Sequence, residues 1–190
     1  DETGLNIVDA QYDQESSSVS YSEIANEALI CWDDFRSGNF DLYCKYIDFE
    51  MIENNLTYEL SEEIELATPS NTTPLESIYL CDDASECDPY EEDPCADGSE
   101  CSEWTGGSQV NSFIYPSKSG SFLIAWEDYR HDIDGDIYFQ EISEYNFKLT
   151  NGGEPVCDMD WPQLDPKINL YSESDGSYVI YWRDLRSTGK

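Results

Sequence analysis

The sequence is poor in positive charge: nine Lys and Arg stand against 42 Asp and Glu among 190 residues, a formal net charge of −33. A surface this negative repels phosphate groups, so we expect no binding to nucleic acid or to anionic membrane surfaces. Long apolar runs are also lacking, and no segment reaches the roughly 20 apolar residues that a membrane-spanning helix needs. We therefore expect no membrane insertion.

Signatures of catalysis are scarce as well. The chain has one histidine, His131, in a polar turn. It contains no nucleophile elbow, zinc-protease motif, phosphate-binding loop or dinucleotide-binding glycine pattern. Carboxylate pairs suited to glycoside hydrolysis stay open, because 42 acidic residues make some pairs inevitable. On this basis the protein is not predicted to be an enzyme.

Aromatic residues, in contrast, are abundant: they make up 14% of the chain, with 14 Tyr and 5 Trp. High net charge with low hydrophobicity is typical of disordered chains, but such chains are poor in aromatic and β-branched residues. The composition therefore predicts a folded chain, with residues 1–190 forming one domain.

The seven cysteines indicate the compartment. Four of them lie in one acidic stretch, at Cys81, Cys87, Cys95 and Cys101. Their spacing lacks the close pairs of a zinc site, so we interpret them as disulfides, with the connectivity left open. Disulfides indicate a secreted or cell-surface protein. Sequons at Asn55 and Asn71 permit N-glycosylation, and the start at Asp1 fits a removed signal peptide or a segment of a longer chain.

One motif occurs three times. An apolar run leads into W-x-D-x-R, followed in the first two copies by a polar turn and D-[IL]-Y-x-[QK]; the tryptophans are Trp32, Trp126 and Trp182. Each copy predicts a β-hairpin. The Asp and the Arg lie on the same side of an extended chain, so we expect a structural clamp between them. The clamp residues are Asp34, Arg36, Asp128, Arg130, Asp184 and Arg186.

Further strand-like segments precede each tryptophan and begin at Gln14, Gln109 and Gln163. Residues 153–163 also match residues 4–14, so one unit is expected to contain about four short strands. We place the units at residues 14–60, 107–150 and 160–190, and an acidic, disulfide-rich loop insertion at residues 68–106.

The motif resembles the secreted bacterial and archaeal β-propeller repeats written W-x-D-x-R-x-G-x-x-D-I-Y-x-Q, over residues 14–50 and 107–190. The resemblance implies an all-β fold of propeller-like, four-stranded blades and an extracellular location. It implies no particular activity, because such repeats are scaffolds that serve many functions.

The third copy stops at Lys190, where the D-[IL]-Y strand would follow. About two and a half units are too few for a propeller ring of about four to eight blades. Two interpretations stay open: the chain is a fragment of a larger secreted propeller protein or glycosidase, or copies complete one another by strand addition. Because open apolar edges favour association, we expect a structural subunit that forms a homo-oligomer or filament.

Acidic turns predict Ca²⁺ sites. Asp132, Asp134 and Asp136 alternate around a glycine in the second hairpin turn, and the first turn offers Asn39 and Asp41. Such oxygen ligands suit Ca²⁺, which would also offset the self-repulsion of the net charge. The insertion adds Asp82, Asp83, Asp88 and Asp97. The alternatives are solvated acidic turns and adaptation to high salt.

The remaining cysteines and tryptophans give three further expectations. Cys31 and Cys44 flank the first hairpin turn and are predicted to form a cross-strand disulfide, which leaves Cys157 as a buried thiol or a bond to a neighbouring subunit. Carbohydrate binding is the alternative function, because Trp104 and Trp161 lie outside the motif and can stack on sugars. For Trp161 we favour packing in a strand instead.

Overall fold

Strand-forming residues dominate the segments that the structure describes. The computed structural model describes residues 6–52, 55–67, 78–80, 102–104, 107–130, 134–143, 152–159 and 161–186. Within these ranges the protein is all-β: thirteen strands and no helix. The Val, Ile, Tyr and Phe of these segments suit a pleated, half-buried surface.

The first sheet has five strands, in the order β1-β2-β3-β4 with β5 also paired to β3. They are β1 Gln14–Ser22, β2 Glu27–Asp34, β3 Asp41–Ile52, β4 Asn55–Leu60 and β5 Ile64–Ala67. The next two strands, β6 Ile78–Leu80 and β7 Ser102–Trp104, form a small sheet of their own within the segment that we predicted to be an insertion.

The second large sheet has the order β11-β10-β9-β8. Its strands are β8 Gln109–Pro116, β9 Phe122–Asp128, β10 Asp136–Ile142 and β11 Glu154–Cys157. The third sheet pairs β12 Gln163–Leu170 with β13 Tyr178–Asp184. Every strand pair in the described ranges is antiparallel.

The three motif copies occupy equivalent strands. Trp32, Trp126 and Trp182 lie near the ends of β2, β9 and β13. The first two copies continue into the predicted hairpins, in which Trp32 is opposite Tyr43 and Trp126 is opposite Tyr138. Residues 154–157 form β11, which pairs with β10 and is therefore the fourth strand of the sheet of Trp126.

The sheets pack face to face through two apolar layers. The larger layer joins the first sheet to the second and includes Leu29, Cys44, Tyr46, Phe122 and Trp126. A smaller layer between the second and third sheets is built on Leu123, Ala125 and Ile168. The described sheets do not close into a barrel or a ring. What the structure shows of the predicted architecture is therefore an all-β stack of antiparallel sheets.

A β-bulge recurs in the first strand of each large sheet and of the third sheet. The strand register shifts after Glu15, Val110 and Leu164. The residues that follow have left-handed backbones, with φ of 47° at Ser16, 56° at Asn111 and 55° at Asp165. A bulge bends its strand and turns one backbone N–H out of the ladder. At Asn111 and Asp165 this N–H donates to a carboxylate of the neighbouring sheet.

Candidate functional site

The motif residues of the second sheet form one buried cluster. The Trp126 indole Nε1 donates a hydrogen bond to Asp128 Oδ2 at 2.9 Å, and the Arg130 backbone nitrogen donates to Oδ1 at 3.0 Å. The Arg130 guanidinium lies 2.5 Å from the same carboxylate and also donates to the Gly152 carbonyl. Asp128 is fully buried, so every charge-assisted bond to it matters for stability.

The first sheet repeats this cluster. Trp32 Nε1 donates to Asp34 Oδ2 at 3.0 Å, and the Arg36 guanidinium lies 2.6 Å from Asp34 and 2.6 Å from Glu63. Burial acts to raise the pKa of Asp34, but the hydrogen bonds from Arg36 and Trp32 outweigh it and hold that pKa below its usual value. Asp34 is therefore an ionised anchor for the hairpin turn.

A tyrosine of the second hairpin strand completes each of these clusters. The ring of Tyr43 lies 6.4 Å from that of Trp32, and the ring of Tyr138 lies 6.2 Å from that of Trp126. The Arg36 guanidinium carbon sits 4.2 Å above the Tyr43 ring, and that of Arg130 sits 4.9 Å above the Tyr138 ring. We call this set of four residues the Trp-Asp-Arg-Tyr cluster. Burial raises the pKa of both tyrosines to about 12, so both stay neutral.

The third copy contains only part of the cluster. Arg186 pairs with Asp184 at 2.5 Å, and its backbone nitrogen donates to Asp184 Oδ1 at 2.9 Å. These hydrogen bonds lower the pKa of Asp184. Trp182 Nε1, however, is buried and has no hydrogen-bond partner in the described part of the chain. The predicted Asp–Arg pairs are thus present in all three copies, but they differ in completeness.

Neighbouring sheets are joined by the first variable residue of W-x-D-x-R, which directly follows the tryptophan. Asp33 on β2 accepts a hydrogen bond from the Asn111 backbone nitrogen at 3.2 Å, and Glu127 on β9 accepts one from the Asp165 backbone nitrogen at 2.8 Å. Both donors are the left-handed bulge residues of the next sheet. Burial, together with the negative charges of Glu127 and Glu15, raises the pKa of Asp33 to about 7 despite this bond.

These joining carboxylates were missed by the sequence reasoning, although a signal was present. The variable position is acidic at Asp33 and Glu127 but is Arg183 in the third copy. Each of the two acidic residues contacts the bulge of the next sheet along the chain. An acidic residue at this position therefore indicates that another sheet packs against its own. Arg183 instead pairs with the exposed Asp165 of its own sheet at 3.0 Å.

Apolar side chains are exposed at both ends of the stack, where no described residue covers them. Val19, Ile114 and Ile168 each lie five residues after the glutamine that begins the strand, yet Val19 is 65% exposed while Ile114 and Ile168 are 6% and 2% exposed. At the other end Val179 is 41% exposed, whereas the equivalent Leu29 and Leu123 are 0% and 4% exposed. Each end therefore shows an apolar face of a kind that is buried inside the stack.

The predicted disulfide between Cys31 and Cys44 is present and joins directly opposite residues of β2 and β3. Cys157 is a free, partly buried thiol, and burial raises its pKa. A raised pKa keeps the thiol protonated and less reactive at neutral pH. The cysteines of the predicted insertion, Cys81, Cys87, Cys95 and Cys101, lie outside the described residues.

The predicted Ca²⁺ ligands do not come together in the part of the chain that is described, which holds no group of three or more His, Cys, Asp or Glu suited to a metal ion. Asp134 accepts a hydrogen bond from the Trp161 backbone nitrogen at 3.1 Å. Asp41 is buried and accepts from the Ser37 hydroxyl, and burial raises its pKa. The ligand candidates outside the described ranges are Asp132, Asp82, Asp83, Asp88 and Asp97.

Several other predicted residues also lie outside the described ranges or have no described side chain. His131 and Asn71 are among the former. The backbones of Asn55 and Trp104 lie in β4 and β7. Sugar stacking by Trp104 and N-glycosylation stay predictions.

The prediction that Trp161 packs in a strand is wrong, and Tyr12 has the equivalent position before β1. Tyr12 is 68% exposed and Trp161 is 58% exposed. Both precede their strands in a left-handed conformation, with φ of 76° and 91°, which places the rings outside the sheets. The following glutamines fix this turn, since Gln14 and Gln163 donate from Nε2 to the carbonyls of Tyr12 and Trp161.

Comparisons with known proteins assign no relative. No family model matches the sequence, and neither a curated protein nor a solved structure was found to be similar to it. In the described residues no helix has the length and hydrophobicity needed to span a bilayer.

Proposed function

We propose that this protein is a secreted, acidic structural subunit whose copies assemble end to end, by strand addition at an open sheet edge and by packing of the uncovered apolar faces at the two ends of the stack. The observation that carries the proposal is the exposure of equivalent apolar positions at the two ends of the stack. Val19 and Val179 are uncovered where their counterparts inside the stack are buried. A propeller-type arrangement of further sheets is the architecture into which such ends fit.

The two ends are complementary in kind. Ser18 contacts Ser112 of the second sheet, so Val19 and Tyr21 face away from the stack. Tyr178 and Ile180 pack on the second sheet, so the alternating Val179 and Tyr181 face away at the other end. Inside the stack, faces of these two kinds meet each other. Head-to-tail contacts between copies would repeat that pairing and would generate a ring or an open filament.

The structural role is favoured over a catalytic one by the use of the charged residues. Three of the four arginines pair with the motif aspartates and are thereby engaged in the structural clamps. The abundance of carboxylates supports Ca²⁺ as a companion ion, through the turn at Asp134 and Asp136 and the acidic insertion. Equal melting temperatures in EDTA and in millimolar Ca²⁺ would remove Ca²⁺ from the proposal.

Size-exclusion chromatography with light scattering, at several protein concentrations, tests the assembly. We expect the mass to rise with concentration and electron micrographs to show rings or filaments. Val19→Lys and Val179→Lys should each block association, because each buries a charge in an apolar contact. Met159→Lys is the matched control, since Met159 is half exposed in the segment between β11 and β12 and lies on no strand. A wild-type protein that stays monomeric at all concentrations contradicts the proposal.

Carbohydrate binding is a second candidate, favoured by one observation. Trp161 presents an exposed ring from a left-handed backbone, a conformation that costs a bulky residue about 1–3 kcal/mol. An exposed aromatic ring held at such a position is suited to stacking on a sugar. A glycan array would show binding that is lost in Trp161→Ala or Trp104→Ala if this function is present.

A further inference from the structure

The edge of β13 is free in the described part of the chain. β2 and β9, the equivalent strands of the other two sheets, are each hydrogen-bonded to a neighbour on both sides, whereas β13 pairs only with β12. A free edge presents a row of backbone N–H and C=O groups that can accept another strand. The position of that strand is known from the other sheets, where β3 and β10 occupy it.

The neighbouring strand supplies more than backbone hydrogen bonds. In the first two sheets it brings the tyrosine that lies opposite the motif tryptophan and under the motif arginine. Arg130, covered in this way, has a side chain that is 9% exposed, whereas that of Arg186 is 45% exposed. Trp182 Nε1 is buried without a hydrogen-bond partner among the described residues. The third cluster thus has a Trp, an Asp and an Arg arranged for a tyrosine that no described residue supplies.

A cavity lies where the side chains of such a strand would pack. It has a volume of about 680 Å³ and lies between the second and third sheets. Its apolar lining is Leu123, Phe139, Tyr178 and Ile180, with Glu141 and Lys118 among the polar groups at its margin. Between the first and second sheets the corresponding layer is filled, in part by Tyr138 and Ile142 of β10. The cavity therefore fits large side chains at alternate positions of one strand.

We propose that the free edge of β13 is an acceptor site for an extended strand with the pattern Asp-[Ile/Leu]-Tyr-x-[Gln/Lys]. The tyrosine of the donor strand packs beside Trp182 and beneath the Arg186 guanidinium. The side chains two and four residues later enter the cavity beside Phe139, as Gln140 and Ile142 follow Tyr138 in β10. This acceptor site rests on the proposed function, because it identifies which edge a second copy would use.

A peptide with the sequence of residues 135–142, Gly-Asp-Ile-Tyr-Phe-Gln-Glu-Ile, tests the site directly. Fluorescence anisotropy of the labelled peptide, titrated with the intact protein, should show saturable binding of one peptide per chain. The melting temperature of the protein should rise with peptide concentration, because the peptide binds the folded state. A peptide with Ala in place of the tyrosine should bind about tenfold more weakly, as lost aromatic and cation–π contacts predict.

Arg186→Ala should weaken the tyrosine peptide about tenfold and leave the affinity of the alanine peptide unchanged. Arg183→Ala is the matched control and should bind both peptides as the wild type does, since its side chain belongs to the opposite face of β13. Equal affinity for the two peptides, or no binding at millimolar peptide, overturns the proposal.

The same titration separates this inference from the proposed function. A protein that self-associates in light scattering but neither binds the peptide nor is dissociated by it assembles through another surface, which overturns the inference alone. A protein that binds the peptide through Arg186 but stays monomeric has the acceptor site without the self-assembly. That result supports the inference and contradicts the proposed function.

Discussion

Asp33 and Asn111 connect two sheets across 78 positions of the chain: the Asn111 backbone nitrogen donates to Asp33 Oδ2 at 3.2 Å. The acceptor is a buried carboxylate, and the donor is a bulge residue that no ladder hydrogen bond occupies. Glu127 and Asp165 repeat the relationship between the second and third sheets. The stack is therefore held by apolar layers and by buried carboxylates that cap exposed backbone donors.

This relationship makes stability depend on pH. The pKa of Asp33 is raised to about 7 by burial, so protonation stabilises the fold below that value and the contribution is lost as pH rises from about 4 to 7. In the wild type, Asp33 should lower the free energy of unfolding by about 2.5 kcal/mol between pH 5 and pH 8. Asp33→Asn should abolish this fall. The free energy of unfolding, measured in urea at both pH values, should therefore favour the variant more at pH 8 than at pH 5.

Asp165→Asn is the control for that experiment, because it removes a carboxylate that is half exposed. It changes the net charge by the same amount and should change the free energy of unfolding only slightly at either pH, because solvent screens an exposed charge. A pH profile of Asp33→Asn that is parallel to that of the wild type would mean that Asp33 titrates normally in the folded protein.

The Asp–Arg pairs differ in burial, so replacing the aspartate should lower the free energy of unfolding by different amounts in the different copies. Asp128→Ala leaves the buried Arg130 guanidinium and the Trp126 indole without their acceptor, a change that costs about 3–5 kcal/mol. Asp184→Ala removes an equivalent pair whose arginine is about half exposed, and should cost much less because solvent screens this pair. Urea unfolding of both variants checks the difference, and equal losses would contradict the assignment of the third cluster as incomplete.

Removing the disulfide should lower the free energy of unfolding. Cys31 and Cys44 enclose a short loop, with a sequence separation of 13. The bond lowers the conformational entropy of the unfolded chain, which stabilises the folded state by about 3 kcal/mol. Replacing both by Ala should lower the free energy of unfolding by at least this amount, because both side chains are also buried. Cys157→Ala, which breaks no bond, is the control and should cost less than about 1 kcal/mol.

The hairpins, the Asp–Arg pairs and the Cys31–Cys44 bond were predictable from the sequence because each depends on residues close together in the chain. Alternation sets which side chains share a face, and two residues of separation suffice to bring Asp128 and Arg130 together. The contacts between sheets were not predictable in this way. Trp161 was misplaced because its left-handed backbone, with φ of 91°, has no local signal in an aromatic residue.

Two glycines with positive φ differ in the space beside them. Gly153 has φ of 82°, and an added Cβ would lie 2.3 Å from the Trp126 ring, whereas Gly38 has φ of 100° and nothing within 4 Å of an added Cβ. Both Ala variants incur the backbone cost of a left-handed residue, about 1–2 kcal/mol. Gly153→Ala must also displace the ring that donates to Asp128, so we expect a further loss of about 1–3 kcal/mol. Urea unfolding measures both variants, and a change in near-ultraviolet circular dichroism confined to Gly153→Ala would report the displaced tryptophan. Equal destabilisation would mean that the Trp126 ring moves aside at no cost, and that close packing against residue 153 does not fix the Trp-Asp-Arg-Tyr cluster.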